Sequence, residues 1–367
     1  MSAQTATLDF EVTPTSTPTP EADRLKAFEN LGFGTLFTDH MAVIKWNVNK
    51  GWHGAQVTAR APFQIDPASS VLHYAQEIFE GMKAYRAADG RAVLFRPEEN
   101  ARRFNESARR MAMPELPEGD FLAAVEKLVQ LDARWIPEGD SSLYLRPFMF
   151  ASEVFLGVRK ATDFIFCVIA SPVGPYFKGG LKPVNIWVSQ NYTRAAVGGT
   201  GAAKCGGNYA SSLAAQVEAT EQGCDQVVFL DAVEHRWVEE LGGMNVFFVM
   251  DDNTLVTPPV AGTILPGITR KSLIELAGDN GLTVIERPYS FDEWQADAAS
   301  GKLKEAFACG TAAVVAGIGT VKHKDGAFKI GDGQTGPVTT KLRSALVDIQ
   351  RCAAPDTHGW VHVLPGV

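Results

Sequence analysis

A glycine-rich run around one lysine is the part of the sequence where residue types and spacing most clearly suggest chemistry. Residues 198–210 read GGTGAAKCGGNYA, with Lys204 flanked by glycine pairs. Backbone N–H groups of such a loop can bind phosphate. A lysine amine can instead attack an aldehyde when its surroundings favour the uncharged form, and glycine lets a bulky group approach the backbone. The spacing has to decide between these two possibilities.

Two nucleotide-binding motifs fail on that spacing. A Walker loop has Gly directly before its Lys and Ser or Thr directly after it, whereas Ala203 and Cys205 flank Lys204. A G-x-G-x-x-G fingerprint fails because Lys204 stands where the third glycine belongs. Two interpretations remain from the residues alone: a reactive lysine beside a cofactor, and a solvated lysine in a flexible turn.

The composition disfavours several classes of protein. The 34 Lys and Arg against 42 Asp and Glu give a net charge of -8, so we expect no nucleic-acid partner and no anionic membrane surface as a partner. Five cysteines lie far apart without a C-x-x-C pair, which favours reduced thiols in a cytoplasmic enzyme over disulfides or a bound metal. The N-terminus has no apolar signal segment, and the longest apolar run, VFFVM, is too short for a membrane span.

The elements that must position Lys204 follow from hydrophobic periodicity. Strand-like and helical segments alternate without a strict βαβ order, which favours an α+β (mixed α/β) fold of two domains in the 367 residues. Proline and glycine are concentrated in SPVGPYFKGGLKP, as in a linker. Lys204 is expected between a strand over 184–190 and a helix over 209–222. The predicted boundaries are a disordered arm over 1–22, a small domain over 23–173, a linker over 174–183 and a large domain over 184–367.

Six segments together resemble one known family. They are GGTGAAKCGGNYASS, VEELGGMNVFF, GTILPGITRKS, FEGMKAYR, LYLRPFMF and CGTAAVV. This set is similar to the branched-chain amino acid aminotransferases, which are fold-type IV enzymes that use pyridoxal 5'-phosphate (PLP). The resemblance extends from about Gly32 to about Ala316. It implies a smaller N-terminal α/β domain and a larger, PLP-binding C-terminal domain with a barrel-like sheet.

The resemblance assigns the reacting part of the cofactor to three residues. Lys204 matches the lysine that bonds to the PLP aldehyde and carries the proton between the substrate Cα and the cofactor. Tyr209 matches the residue that hydrogen-bonds the phenolic oxygen. Glu240 matches the carboxylate that faces the pyridine nitrogen and keeps the ring an electron sink. Adjacent Glu239 would point to the other face of a strand. The residues alone leave the choice between the two open, and the resemblance selects Glu240.

The phosphate needs N–H donors and positive charge. The predicted helix start at Gly267 offers the N–H groups of Ile268 and Thr269, and the resemblance adds the Thr311 hydroxyl and Arg103. Five arginines crowd residues 96–110, so from the residues alone a solvated basic face is the alternative for Arg103.

The resemblance also implies a substrate pocket and a partner. Arg146 matches a residue linked to the γ-carboxylate of glutamate, and the loop over 155–160 matches one that reaches the pocket of a second subunit, which implies a homodimer. The remaining matched positions would line the pocket or, for the last two, offer N–H groups to the α-carboxylate: Phe33, Tyr74, Phe79, Tyr144, Ala312 and Ala313.

The chain departs from the family pattern at two places. Mammalian members carry a redox C-x-x-C after the GTA segment, where this chain has Ala313 and Ala316, so no thiol regulation by that pair is expected. Gly243 stands where some relatives have a threonine whose hydroxyl lies near the cofactor.

The implied activity is reversible transamination of L-leucine, L-isoleucine and L-valine with 2-oxoglutarate, in a ping-pong cycle. The alternatives are a D-amino acid aminotransferase or an aminodeoxychorismate lyase of the same fold, disfavoured by the long N-terminal region and the LYLRP segment. A non-catalytic binding protein of this fold is a further alternative. The matched residues Lys204, Tyr209, Glu240 and Arg103 argue against it.

Overall fold

The computed structural model describes residues 7–174 and 182–367, which form two compact units. Unit 1 contains the described residues up to 174, the segment Ala203–Gly206, and Ile349–Val367. Unit 2 contains residues 182–202 and Gly207–Asp348. The chain therefore leaves unit 2 for only four residues around Lys204. The expected linker over 174–183 lies mostly outside the described residues.

The elements of unit 1, numbered along the whole chain, alternate between sheet and helix. The strands are β1 (Glu11–Val12), β2 (His40–Asn47), β3 (Gly51–Ala59), β4 (Glu77–Phe79), β5 (Met82–Arg86), β6 (Ala92–Phe95), β7 (Ser142–Ala151), β8 (Asp163–Val173) and β18 (Val361–Val363). The helices are α1 (Glu21–Phe28), α2 (Val71–Tyr74), α3 (Pro97–Arg110), α4 (Glu118–Leu131) and a 3-10 turn (Ala133–Trp135).

Among the described residues of unit 1, these nine strands form one sheet in the order β1-β3-β2-β8-β7-β5-β6-β18, with β4 paired to β7. Helices α3 and α4 cover it, because their apolar residues recur at helical spacing. The centre of this core is a triangle of aromatic rings, Phe104, Phe121 and Phe166, whose centroids lie 5.4–5.8 Å apart. Helix α3 begins as the sequence predicts, with Pro97 in its first turn followed by two acidic residues.

The described part of the N-terminal arm differs from the disordered segment that was expected. Strand β1 pairs in parallel with β3. The Asp120 carboxylate accepts both the N–H and the hydroxyl of Thr7, each at 2.7 Å. His40 Nε2 accepts the N–H of Thr15 at 2.9 Å, while His40 Nδ1 donates to Asp132 at 2.7 Å. Buried polar side chains far along the chain thus hold residues that have no apolar pattern of their own.

The C-terminal residues also differ from the predicted domain boundaries. Ile349–Val367 belong to unit 1, not to the domain expected over 184–367. Strand β18 pairs with β6 in antiparallel register, and the His362 ring lies between two carboxylates, 2.8 Å from Glu126 Oε1 and 3.3 Å from Glu98 Oε1. The C-terminal strand is therefore attached to both α3 and α4.

The stability contribution of His362 is expected to depend on pH. Its hydrogen bonds to Glu126 and Glu98 outweigh burial and raise the pKa of His362 to about 9, from 6.5. A raised histidine pKa gives stability that is fully present below pH 6.5 and is lost as the pH rises through 9. His362→Gln should therefore lower the free energy of unfolding by about 1–2 kcal/mol at pH 6 and by much less at pH 10. Urea unfolding at both pH values measures this, and an equal loss at each would contradict it.

Unit 2 contains a second sheet and five helices among its described residues. The strands are β9 (Val184–Ser189), β10 (Gln226–Leu230), β11 (Val238–Leu241), β12 (Asn245–Met250), β13 (Thr254–Thr257), β14 (Thr283–Glu286), β15 (Leu303–Gly310), β16 (Val314–His323) and β17 (Gly326–Lys329). The helices are α5 (Gly206–Ala210), α6 (Leu213–Glu221), α7 (Ile268–Asp279), α8 (Phe291–Ser300) and α9 (Pro337–Gln350); α5 begins and α9 ends with residues of unit 1.

The sheet of unit 2 closes on itself over part of its length. Its order is β11-β10-β9-β16-β15-β12-β13-β14, with β17 on β16. An isolated bridge also pairs Leu241, at the end of β11, with Met244, the residue just before β12. Six strands therefore follow one another round a ring, which is the barrel-like sheet expected for this region. Phe248, Tyr289 and Trp294 pack in its core.

Candidate active site

The main chain of Lys204 is fixed from two sides within unit 1. Its N–H donates to Ser107 Oγ of α3 at 2.9 Å, and its carbonyl accepts the N–H of Phe79 in β4 at 2.9 Å. The Lys204 Nζ lies 4.7 Å from the centroid of the Phe79 ring. Two residues later, the Gly206 N–H donates to the Glu77 carboxylate. This lysine therefore belongs to an ordered segment, which disfavours the flexible turn.

Arg103 is buried, unlike its neighbours on α3. Its Nε and Nη2 donate to the two oxygens of Glu80 at 2.7 and 2.8 Å. Its side chain is 7% exposed, compared with 40% for Arg102 and 55% for Arg109. The solvated basic face that was the alternative for Arg103 therefore describes Arg102 and Arg109 but not Arg103.

Four predicted substrate residues of unit 1 lie together beside Lys204. The Phe33 and Tyr144 rings meet edge to face at 5.0 Å. The Arg146 Nη2 donates to Tyr144 Oη at 3.1 Å, and its guanidinium lies 4.7 Å from the Phe79 ring centroid. Aromatic rings around one guanidinium make a surface that suits both apolar and anionic groups. Tyr74 has a different setting, exposed in α2 with its ring 6.2 Å from that of His73.

In unit 2, both candidate glutamates of β11 are buried. Glu240 forms an ion pair with Arg194, and its Oε1 accepts the N–H of Leu265 at 3.0 Å. Burial raises the pKa of the Glu239 carboxyl, although a Thr263 hydroxyl and the Arg194 charge oppose this. Strand alternation separates the two side chains, but both faces of this strand are covered. The carboxylate that carries the ion pair is the one the family pattern selects.

Sequence reasoning missed Arg194. Its Nη2 donates to the carbonyls of Gly201 at 2.9 Å and Thr263 at 2.7 Å, in addition to the Glu240 ion pair. The only sequence signal was a lone arginine ten positions before Lys204, in NYTRAAVGG, and that carries no motif. The Arg194 side chain thus connects the Gly201 carbonyl of the glycine-rich loop to Thr263 and Glu240.

This close packing requires glycine at position 201. A Cβ on Gly201 would lie 2.7 Å from the Thr263 Cα and closer still to the Thr263 carbonyl oxygen. Gly201→Ala should therefore cost about 1–3 kcal/mol of unfolding free energy by overpacking. Gly207→Ala is the matched control, because a Cβ there meets nothing within 4 Å. Thermal or urea unfolding of both variants tests the difference, and equal losses would contradict it.

The remaining predicted residues of unit 2 lie at the start of a helix, in one turn and in a short helix. Ile268 and Thr269 are the first residues of α7, whose first N–H groups have no partner within the helix. Thr311, Ala312 and Ala313 form the turn between β15 and β16. Val314, which follows, has a φ of 63°. A β-branched residue in the left-handed region is held there by its surroundings, as at many binding sites. Tyr209 lies in α5. Its ring lies next to Gly243, since a Cβ added to Gly243 would be 3.5 Å from the ring.

Residues 77–321 match the family model described as amino-transferase class IV. The chain belongs to this family. This class IV aminotransferase is 54% identical over 359 residues to the branched-chain-amino-acid aminotransferase of Mycolicibacterium smegmatis, covering 96% of this chain and 98% of the relative. It is also 54% identical over 357 residues to the probable branched-chain-amino-acid aminotransferase of Streptomyces coelicolor, covering 97% and 98%.

Solved structures give the same family. The Escherichia coli branched-chain amino acid aminotransferase superposes on this class IV aminotransferase with a TM-score of 0.71 at 28% identity, covering 88% of this chain and 99% of the other. A branched-chain amino acid aminotransferase of T.th. with pyridoxamine 5'-phosphate gives 0.73 at 29% identity, covering 88% and 99%. The fold-type IV architecture expected from the sequence is confirmed.

The described residues hold neither a metal cluster nor a membrane-spanning helix. In residues 7–174 and 182–367, no group of His, Cys, Asp and Glu side chains is arranged to hold a metal ion. No helix in the same ranges has both the length and the apolar composition needed to span a membrane.

Proposed function

We propose that this protein transfers the amino group of L-leucine, L-isoleucine and L-valine to 2-oxoglutarate and catalyses the reverse reaction. The observation that carries this is the 54% identity, over nearly the whole chain, to a protein named branched-chain-amino-acid aminotransferase. The enzyme is a PLP-dependent transaminase. The same relationship disfavours the D-amino acid and lyase alternatives.

The side chains present fit PLP by their chemistry. PLP, when bound, supplies an aldehyde carbon and an electron-withdrawing ring. Lys204 offers the amine, on a main chain held by Ser107 and Phe79. Glu240 would hold the ring nitrogen protonated, because its ion pair with Arg194 favours the carboxylate form. Tyr209 would donate to the phenolic oxygen. Lys204 would then hold the proton removed from the substrate Cα and deliver it to the cofactor.

The phosphate would be held by three kinds of donor. The first N–H groups of α7, at Ile268 and Thr269, favour an anion through the helix dipole. Thr311 adds a hydroxyl in the turn before β16. Arg103 adds a guanidinium that Glu80 already holds in place. Arg103 is costly to bury; Glu80 offsets that cost, and the phosphate would be a second anion for the same guanidinium.

The substrate side chain would contact Phe33, Tyr74, Phe79 and Tyr144, and its α-carboxylate the N–H groups of Ala312 and Ala313. Arg146 would accept the γ-carboxylate of glutamate in one half-reaction. In the other half-reaction, an apolar side chain would pack on the same aromatic rings, since the guanidinium lies over Phe79 and beside Tyr144. One pocket would thus accept both substrates.

Arg146→Ala is expected to impair the two substrates unequally. A charge-assisted pair with a carboxylate is lost, which lowers kcat/KM for glutamate by about 10- to 100-fold. For leucine we expect a change of about 3-fold or less. Single-turnover rates with each amino acid measure the two effects, and equal losses would remove the proposed role.

We further propose a homodimer in which the loop over 155–160 reaches the second subunit. The loop presents large apolar side chains, with Leu156 66% and Val158 90% exposed, which favours a protein partner. Sedimentation of the purified protein tests this.

The two units would correspond to the small and the PLP-binding domain, and the cysteine pattern supports a cytoplasmic location.

An absorbance spectrum tests the function directly. L-leucine alone should convert the visible cofactor band to that of the pyridoxamine form, and 2-oxoglutarate should restore it. A band that responds to D-alanine and not to L-leucine would instead support the D-amino acid alternative. A protein without a cofactor band after incubation with PLP would refute the proposal.

A further inference from the structure

Glu80, in the FEGMKAYR segment, is a fully buried carboxylate that accepts hydrogen bonds from several donors. Arg103 donates to both its oxygens at 2.7 and 2.8 Å, Asn100 Nδ2 at 2.7 Å and the Gly81 N–H at 3.2 Å. Its exposed fraction is zero. Burying a carboxylate is costly even when it is paired. A group kept there at that cost needs an explanation beyond stability.

The donors to Glu80 lie on the helix face that also holds the lysine. Asn100, Arg103 and Ser107 are spaced by three and four residues on α3, which places them on one side of the helix. Ser107 accepts the Lys204 N–H. On β4, Phe79 donates to the Lys204 carbonyl, and the next residue is Glu80 itself. One helix face and one strand end therefore fix both Arg103 and the Lys204 main chain.

The charges in this cluster support the same connection. Burial alone would raise the pKa of Glu80, but the Arg103 guanidinium, together with the Lys204 charge and the Asn100 amide, holds it below its usual value. Glu80 is therefore an anion that both cations influence. The fixed, two-bond contact with Arg103 orients the guanidinium plane, as bidentate pairs do.

We propose that Glu80 is a positioning residue that holds the Arg103 guanidinium in register with Lys204, so that one cofactor meets its phosphate ligand and its amine ligand together. This rests on the proposed function, in which Arg103 binds the phosphate. Glu80 itself does not contact the cofactor in this proposal. Its effect should appear only in ligands that carry a phosphate.

The test compares two ligands of the full-length apoenzyme: PLP, and pyridoxal, which has the aldehyde but no phosphate. Glu80→Gln, which breaks the bidentate contact, should weaken PLP binding by about 10- to 100-fold and pyridoxal binding by about 3-fold or less. In an Arg103→Ala background the same change should alter PLP binding by about 2-fold or less. Glu80→Asp, which keeps the charge, should recover part of the affinity.

A pair of asparagine variants keeps the proposal testable if Glu80→Gln does not fold. Asn100→Ala removes one donor to Glu80 and should weaken PLP binding but not pyridoxal binding. Asn105→Ala is the matched control, since this buried asparagine of α3 bonds the Leu116 main chain instead, and it should affect neither ligand selectively.

Three outcomes would overturn the inference. Unchanged or tighter PLP binding in Glu80→Gln would mean that Glu80 only competes for Arg103. Equal losses for PLP and pyridoxal would indicate a general structural role. A wild-type apoenzyme that binds neither ligand would refute the proposed function and this inference with it. This outcome is seen in the wild type, whereas the first two are seen only in the variant.

Discussion

Replacing Lys204 with alanine is expected to abolish transamination, with a loss in kcat on the order of 10⁴-fold or more. The amine has two functions in the proposal, bonding to the aldehyde and carrying the substrate proton, and the main chain around it is fixed by hydrogen bonds on both sides. Because β4 and α3 hold that main chain, the substitution removes the amine without displacing the segment. The rate of glutamate formation from leucine and 2-oxoglutarate measures the loss.

Two controls separate the amine from the charge and from the fold. Lys204→Arg keeps a cation but cannot bond to the aldehyde, so it should be as inactive as Lys204→Ala. Lys50→Ala changes an exposed lysine in the turn after β2 and should keep full activity. Mass spectrometry after borohydride reduction should find the cofactor on the peptide with Lys204 in the wild type and in neither Lys204 variant. Full activity of Lys204→Ala would refute the mechanism.

Local patterns predicted most of the elements around the site. The strand expected over 184–190 is β9, and the amphipathic segment that starts at Pro97 is α3. The single helix expected over 209–222 is instead two, α5 and α6. Residues 211 and 212 separate them, and two serines there make local hydrogen bonds to main-chain carbonyls, which compete with a continuous helix.

Long-range polar contacts could not be predicted from local patterns. The arm near Thr7 and Thr15 is held by Asp120 and His40, and the strand β18 by residues more than 200 positions earlier in the chain. A polar segment of this kind has no apolar periodicity, so its composition resembles that of a disordered arm. Its order comes from buried acceptors that only the folded sheet brings within reach.

The site shows the same limit at single residues. Lys204 and Arg103 could be proposed because their segments match a family pattern, yet the burial of Arg103 depends on Glu80, more than 20 positions away. Arg194 had no pattern to identify it. Its importance follows from three acceptors, Gly201, Thr263 and Glu240, that the fold of unit 2 brings together. Strand alternation predicts that Glu239 and Glu240 point to opposite faces, but it does not predict that both side chains are buried.

The adjacent glutamates of β11 are expected to differ strongly in their effect on kcat when each is replaced with glutamine. Glu240→Gln should lower kcat by about 10²- to 10³-fold, because a neutral amide no longer keeps the ring nitrogen protonated. Glu239→Gln should lower kcat by about 3-fold or less. Both variants remove one buried negative charge from one strand, so the difference between them isolates the ion-paired carboxylate.

Stability gives an independent measure of the same pair. Burial raises the pKa of the Glu239 carboxyl in the folded protein. As the pH rises, Glu239 therefore ionises in the unfolded chain before it ionises in the folded protein, and this lowers the free energy of unfolding. Glu239→Gln removes the ionisable group, so this decrease no longer occurs and the variant should be more stable than the wild type at neutral pH. Glu240→Gln instead leaves the buried Arg194 without its anion and should destabilise it. A larger loss of kcat in Glu239→Gln than in Glu240→Gln would reassign the ring nitrogen to Glu239, whatever the two stabilities show.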